Sequence, residues 1–150
     1  MSQEFNFNTF HSNCDKIFRV DYSLKHLNGE EISSVYLDPK LSEVLKAKVT
    51  QIKRSTAFRS AHGPSLIFEN HNFETNVYIT ESDFFDMFSF KLLAGIRDEL
   101  FKNPDEIVIS STLAKKLQAI KSCTKEELLG QMVLFNRTGN QPFTIKGIFE

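Results

Sequence analysis

The chain has 150 residues, of which 41% are hydrophobic and 25% charged, and its net charge is −1. This length suits one domain or two small lobes that share a core, and the composition is typical of a globular fold. The near-neutral charge, without blocks of one sign, excludes the electrostatic footprint of a nucleic-acid-binding protein. Fifteen residues are Phe and none is Trp, which indicates a buried aromatic core, because Phe rings need no hydrogen-bond partner.

Targeting signals are missing from the sequence. No run approaches the roughly 18 apolar residues that cross a bilayer, and the residues after Met1 lack the basic start and apolar centre of a signal peptide. The sequence stops at Phe149-Glu150, inside a predicted strand, so we expect it to be a piece of a longer chain. In that case the missing signals say nothing about location.

The first third of the chain predicts a helix, strands and a second helix. Apolar residues three and four apart predict a helix over residues 7–18, and alternation then predicts a strand over Phe18–Leu24. Asn28-Gly29 indicates a turn before a strand at Val35–Leu37. Asp38-Pro39 marks the start of the second helix. Its expected buried stripe is Leu41, Val44 and Leu45.

Alternation in the middle of the chain predicts a meander of strands. One strand is predicted over Val49–Phe58, before the break at His62-Gly63-Pro64. Two more are predicted at Leu66–Glu69 and Phe73–Thr80, with Asn70-His71-Asn72 as their turn.

A short helix rich in Phe follows the meander. Its aromatic residues are Phe84, Phe85 and Phe88. Thr80 or Ser82 is expected to cap this helix. A strand is predicted next, over Ser89–Ala94, and Gly95 ends it.

The last third has the strongest local signals. Ile107–Ile109 predicts a buried strand, and Ser110 is expected to cap the helix that follows. The predicted core positions of that helix are Leu113, Ala114 and Leu117. Thr124 and Glu127 fit a capping box, with Gly130 as the stop. The predicted closing strands are Met132–Phe135 and Phe143–Phe149.

Together these elements predict an α+β fold with short helices and a mixed, largely antiparallel sheet. The whole of residues 1–150 is assigned to one domain. If that domain has two small lobes, their boundary is expected around residues 59–76.

Ser110-Ser111 follow a buried strand and open a helix, which is the position of a hydrolase nucleophile. The nucleophile elbow needs glycine on both sides for its sharp turn, whereas Ile109 and Thr112 stand here. Helix capping by Ser110 therefore explains the pattern better.

The acids and histidines of the chain are candidates for metal or acid–base sites. The acids of the aromatic helix are Glu81, Asp83 and Asp86, and the histidines are His11, His26, His62 and His71. The acids lack the ligand spacing of a calcium loop, so we interpret them as solvated carboxylates at a helix start. Only His62 and His71 could meet, across a hairpin, and a surface pair explains them more simply than a transition-metal site.

The remaining motifs also have structural explanations. Cys14 and Cys123 have no zinc-ligand spacing, so they are two thiols or, in an oxidising compartment, a disulfide. Asn136-Arg137-Thr138 matches the glycosylation sequon, but a hairpin turn favours Asn and Thr for backbone reasons. The six glycines are dispersed, which speaks against a phosphate loop and ATP binding. No catalytic, cofactor or metal site is predicted.

Four segments in order resemble the extracytoplasmic core domain of MacB/FtsX-like transporter permeases. Residues 10–20, FHSNCDKIFRV, are similar to the family's Phe-His-x-Asn-x-Asp segment, which follows the first membrane helix. Val77–Gly95 resembles its strand, aromatic helix and Leu-x-Gly ending. Residues 103–104 and 108–117 resemble its "valine-leucine-serine … alanine-lysine-lysine" strand and helix, and residues 129–131 with 143–150 are similar to its closing strands. The polar stretch Ala119–Lys125 departs from the family, and family members usually continue past the position of Glu150.

The resemblance implies a domain without active-site chemistry, on the extracytoplasmic (periplasmic) side of the bacterial inner membrane. Such a domain lies between two membrane helices and transmits conformational change to a substrate or partner protein, while a cytoplasmic ATP-binding subunit or domain hydrolyses ATP. A periplasmic partner protein and a homodimer of the full permease are compatible with it. No nucleic acid and no cofactor are expected.

Two other functions stay open on the residues alone. The first is a small-molecule-sensing module that binds its ligand between the lobes, with Arg54, Arg59 and His62 as polar anchors. The second is a hydrolase that uses Ser110 or the acids around Glu81.

Overall fold

The computed structural model describes residues 11, 13–26, 28–34, 38, 40–61, 65–136 and 139–150. Within these ranges the chain forms ten strands, four α-helices and two 3₁₀ turns, the latter at Cys14–Lys16 and Arg97–Glu99. The α-helices are α1 (Leu41–Lys48), α2 (Phe84–Met87), α3 (Ser111–Lys121) and α4 (Lys125–Leu128). The strands are β1 (Tyr22–Lys25), β2 (Glu31–Ser34), β3 (Phe58–Ser60), β4 (Ser65–Phe68), β5 (His71–Glu74), β6 (Tyr78–Thr80), β7 (Leu92–Gly95), β8 (Glu106–Ser110), β9 (Met132–Asn136) and β10 (Asn140–Phe149).

A six-stranded sheet forms the body of the domain. Its strand order is β5-β4-β9-β10-β7, and β8 also pairs with β10. The β8–β10 pair is parallel and the other pairs are antiparallel, which confirms the predicted α+β fold with a mixed, largely antiparallel sheet. Strands β1 and β2 form a separate hairpin, and β3 and β6 form a separate ribbon.

Helices α3 and α4 pack against one face of this sheet, as their apolar spacing predicts. Leu113, Ala114 and Leu117 of α3 are buried together with Ile148 of β10. The hydroxyl of Ser110 accepts a hydrogen bond from the Leu113 N–H at 3.3 Å, which confirms the predicted cap. The predicted capping box of Thr124 and Glu127 is also present at α4.

The opposite face of β10 is covered by the aromatic helix and the loop after β7. Side chains alternate along a strand, so Phe149 faces away from Ile148 and contacts the ring of Phe85 in α2. A Cβ added at Gly147 would lie 3.1 Å from Leu100, a residue that is 4% exposed. The central strand is therefore covered on both faces.

Several predictions for the first third of the chain are wrong or lie outside the described residues. The described part of the helix predicted over 7–18 contains only the 3₁₀ turn Cys14–Lys16. The predicted strand Val35–Leu37 lies outside the described residues. The Asn28-Gly29 turn is confirmed between β1 and β2, with Gly29 at φ +89°. Helix α1 forms without its predicted buried stripe, since Val44 is 44% exposed.

The predicted strand Val49–Phe58 is also wrong. A turn forms where the Ile52 N–H bonds to the Val49 carbonyl at 3.0 Å. Further along, the Ser55 hydroxyl donates to the Ser42 carbonyl, and the Ala57 N–H donates to a Glu81 carboxylate oxygen. The alternating residues of this segment therefore do not pair as a strand. Strand β3 begins only at Phe58.

The meander differs from its prediction at both turns. The β4–β5 hairpin turns at Glu69 and Asn70, with φ of +47° and +63°, and His71 already belongs to β5. The predicted strand Phe73–Thr80 is two strands, since β5 joins the large sheet and β6 the ribbon. The predicted lobe boundary around 59–76 stays a prediction.

Near the aromatic helix, two details are corrected. Neither Thr80 nor Ser82 caps α2, which has no side-chain cap; the Thr80 hydroxyl donates instead to the Ala57 carbonyl at 3.1 Å. Strand β7 begins at Leu92 and not at Ser89, because Phe90 turns into the aromatic cluster described below. No helix in the described part of the chain is long and apolar enough to cross a membrane.

Candidate functional site

Seven rings form one cluster between α2 and the central strand β10, which we call the aromatic cluster. Its members are His11, Phe84, Phe85, Phe88, Phe90, Phe101 and Phe149. Neighbouring ring centroids lie between 4.9 Å (Phe84–Phe88) and 6.4 Å (Phe88–Phe90) apart, the range in which aromatic pairs attract. Phe85 is the best covered of the α2 rings and is 5% exposed.

Arg97 holds the backbone on which these rings are mounted. Its guanidinium donates one hydrogen bond to the Phe85 carbonyl and another, of 3.0 Å, to the Phe90 carbonyl. The first carbonyl belongs to α2 and the second to the segment that leads into β7. One rigid planar group therefore fixes the distance between both segments.

His11 connects the beginning of the described chain to this cluster. Its side chain is 4% exposed and contacts the rings of Phe88 and Phe90 at 5.0 and 5.2 Å. Its Nδ1 accepts a hydrogen bond of 3.1 Å from the Ser89 N–H, which requires Nδ1 to carry no proton. Burial lowers the pKa of His11 below its ordinary value, because a charged imidazole loses hydration there.

The lowered pKa of His11 predicts a pH-dependent stability. The unfolded chain takes up a proton on His11 near pH 6.5, whereas the folded protein takes it up only at lower pH. The stabilisation that comes from burying His11 in its neutral form is therefore complete above about pH 6.5, and it is lost as the pH falls toward the folded-state pKa of His11. We expect urea unfolding to show a smaller loss of stability between pH 7.5 and 5.5 in His11→Gln than in wild type.

The exposed His71 provides the matched control for this measurement. His71→Gln removes a histidine from β5 without touching the aromatic cluster, so it separates the effect of the buried His11 from that of losing any histidine. Equal losses in His11→Gln and wild type would contradict the role of His11.

The aromatic cluster continues to the surface through the β3–β6 ribbon. The ring of Phe58 contacts Phe84 at 5.9 Å and Tyr78 at 6.4 Å. Phe58 is 58% exposed and Tyr78 57% exposed. These two rings form an exposed apolar surface on the ribbon, in contact with the packed interior.

The three acids around α2 have separate partners and do not converge. Asp83 pairs with Lys46 at 2.6 Å and Asp86 with Arg54 at 3.4 Å. Glu81 accepts hydrogen bonds from the Ser42 hydroxyl and the Ala57 N–H. Among the described residues, no three His, Cys, Asp or Glu side chains are placed to hold a metal ion. These carboxylates therefore serve as partners for α1 and for the segment before β3.

The polar anchors considered for a sensing site are not brought together either. The guanidinium of Arg54 is engaged by Asp86. Arg59 lies opposite Ile79 in the ribbon, so its side chain points away from the neighbouring Phe58. His62 lies outside the described residues.

The remaining candidate residues from the sequence do not form a common site in the described part of the chain. Ser110 is occupied as a helix cap. Ser111 lines a half-open cleft of about 310 Å³ together with Lys115, Lys125 and Glu150. Cys14 is exposed and Cys123 half-buried, and both are free thiols. Asn136 ends β9, but the rest of the sequon lies outside the described residues. His62 also lies outside them, so the predicted His62–His71 pair stays a prediction. His26 and His71 are exposed.

Glu106 is a buried carboxylate that no sequence pattern singled out. It is 7% exposed and accepts hydrogen bonds of 2.8 Å from the Lys102 N–H and the Asn103 side chain. Burial alone would raise the pKa of Glu106, but these hydrogen bonds and nearby Lys146 lower it overall. Glu106 thereby fixes the loop that places Phe101, at φ +57°, against Phe85. The signal available in the sequence was an acid three residues after Asn103.

The geometry defines an α+β domain whose mixed sheet packs helices on one face and an aromatic cluster on the other. The profile of the MacB-like periplasmic core domain family matches residues 2–150, and the chain belongs to this family. It is therefore an extracytoplasmic domain of an ABC transporter permease. No curated protein matches the sequence significantly.

Three solved structures share the fold. A domain described as part of a permease from Porphyromonas gingivalis is 24% identical, with a TM-score of 0.64, and the match covers 81% of this chain and 49% of that one. The periplasmic region of MacB from Actinobacillus actinomycetemcomitans is 26% identical, with a TM-score of 0.52 and coverage of 72% and 48%. The extracellular domain of the noncanonic ABC-type transporter YknZ from Gram-positive bacteria is 18% identical, with a TM-score of 0.53 and coverage of 72% and 54%. The chain thus spans about half the length of these solved chains.

Proposed function

We propose that this domain transmits conformational change from the membrane part of an ABC-type permease to a substrate or partner protein, without catalysing a reaction itself. The ATP that drives the change would be hydrolysed by a cytoplasmic ATP-binding subunit or domain. Membrane helices beside this domain would connect it to that subunit.

One observation carries the proposal: the segment of His11 and strand β10 meet in the aromatic cluster. His11 contacts Phe88 and Phe90, and Phe149 contacts Phe85 and Phe90. Displacing either of these segments therefore moves a close-packed set of rings, and packed interiors transmit displacement because they are hardly compressible. The exposed Phe58–Tyr78 surface is mounted on the same cluster through Phe84.

The test uses the full-length permease with its ATP-binding partner, reconstituted in lipid nanodiscs. A fluorophore at Tyr78→Cys, with Cys14 and Cys123 replaced by Ser, reports its distance from an acceptor in the lipid headgroups. We expect ATP to change this distance in the parent protein. Phe88→Leu should reduce the change while ATP hydrolysis continues, because it loosens the contact with His11.

Phe18→Leu is the matched control, since Phe18 is 81% exposed and lies outside the aromatic cluster. It should leave the ATP-dependent change intact. The proposal fails if the label does not move in the parent protein, or if Phe88→Leu moves as far as Phe18→Leu.

A further inference from the structure

Helix α1 is attached to the domain differently from the other long helix. All eight residues of α1 are described and none is buried, whereas α3 buries Leu113, Ala114 and Leu117. Leu41 and Leu45 of α1 are only half-buried. Apolar burial therefore contributes less to the attachment of α1 than to that of α3.

Polar contacts connect α1 to the residues before α2. The Lys46 ammonium lies 2.6 Å from an Asp83 carboxylate oxygen, and these side chains are 41% and 24% exposed. One turn earlier, the Ser42 hydroxyl lies 3.0 Å from Glu81 and 3.0 Å from the Ser55 hydroxyl. Ion pairs this exposed are weak and are screened by salt.

The same contacts reach the exposed ribbon. The Glu81 oxygen that binds Ser42 also accepts the Ala57 N–H at 3.3 Å, and Ala57 immediately precedes Phe58. The position of α1 and the start of β3 are thus coupled through one carboxylate.

We infer that α1 is a salt-sensitive latch, which opens while the body of the domain stays folded and thereby loosens the β3–β6 ribbon. When closed, α1 holds Glu81 in place and fixes the ribbon against Phe84. When open, it leaves the Phe58–Tyr78 surface free to change its orientation. The latch requires only the folded domain, so it can stand even if the proposed transmission fails.

Hydrogen exchange of the 150-residue chain, followed by mass spectrometry at 0.05 and 0.5 M NaCl, tests the latch. At low salt we expect Lys46→Gln to accelerate exchange in α1 about two- to fivefold, the range of a single exposed ion pair, and to leave α3 unchanged. At high salt the difference should shrink. Exchanging the two charges, in Lys46→Asp with Asp83→Lys, should restore slow exchange.

Lys48→Gln is the matched control, because Lys48 lies on the same helix and forms no ion pair with any described residue. It should behave as wild type. The inference is overturned if Lys46→Gln and Lys48→Gln exchange alike, or if α1 exchanges only together with α3, since α1 would then open only in global unfolding.

A disulfide lock provides the second arm. The Ser42 and Ser55 hydroxyl oxygens lie 3.0 Å apart, so cysteines at both positions, with Cys14 and Cys123 replaced by Ser, can tether α1 to the segment before β3 when oxidised. Both redox states lack the Ser42 hydroxyl that bonds to Glu81, so the comparison between them isolates the position of α1. Because the chain has no Trp, Tyr78→Trp adds a single fluorescent reporter on the ribbon. The fluorescence anisotropy of Trp at this position should fall with added salt in the reduced protein and stay constant in the oxidised one. A fall in both states would show that the motion of the ribbon does not depend on α1, and would overturn the inference.

Discussion

Gly95→Ala is expected to destabilise the domain by about 3–5 kcal/mol or to prevent folding. A Cβ at this position would lie 2.3 Å from the carbonyl oxygen of Lys146, a distance that real Cβ atoms do not adopt. The obstacle is the backbone of β10, the central strand, and cannot rotate aside. Gly95 also has φ +98°, which any L-residue adopts only with strain. Urea unfolding followed by circular dichroism measures the change.

Two other glycines separate steric overlap from backbone strain. Gly130 has φ +81° with open space around its Cβ position, so Gly130→Ala should cost only the strain, about 1–2 kcal/mol. At Gly147 the nearest atoms are side-chain methyls 3.1–3.3 Å away, which can shift, so an intermediate loss of about 1–3 kcal/mol is expected. If Gly95→Ala were no worse than Gly130→Ala, the close approach of β7 to β10 would be wrong.

The features that sequence patterns predicted correctly are local. The cap at Ser110, the buried face of α3 and the Thr124 capping box each depend on residues within one or two helical turns. Strand partners are not local: the alternation in Phe73–Thr80 continues unchanged where the chain leaves the large sheet for the ribbon. The pattern records which side of a strand is apolar and not which sheet the strand joins.

The candidate site shows the same limit. The patterns placed Glu81, Asp83 and Asp86 correctly at a helix start, but their partners Ser42, Lys46 and Arg54 come from a distant segment. The pairing of His11 with Ser89 is equally long-range. Resemblance to the family singled out the segment of His11. The burial of the His11 side chain, however, depends on its contacts with Phe88 and Phe90, which follow much later in the chain.

Phe85→Ala should remove about 3–5 kcal/mol from the free energy of unfolding. The ring is 5% exposed and contacts four others: Phe84, Phe90, Phe101 and Phe149. Its loss leaves a cavity between α2 and β10. Arg97 holds the backbone of α2 in place and the sheet holds β10, so the cavity cannot easily collapse. Because the cluster joins the segment of His11 to strand β10, the variant should also speed hydrogen exchange at Ser89.

Phe18→Ala removes the same side chain from a position that is 81% exposed, and it should change stability by less than about 0.5 kcal/mol. The difference in the free energy of unfolding between Phe85→Ala and Phe18→Ala measures how much the burial of a Phe ring stabilises the domain. A loss below about 0.5 kcal/mol in Phe85→Ala would mean that the aromatic helix is a surface element. The cluster could then no longer connect the segment of His11 and strand β10 to the ribbon, and the proposed transmission would lose its physical basis.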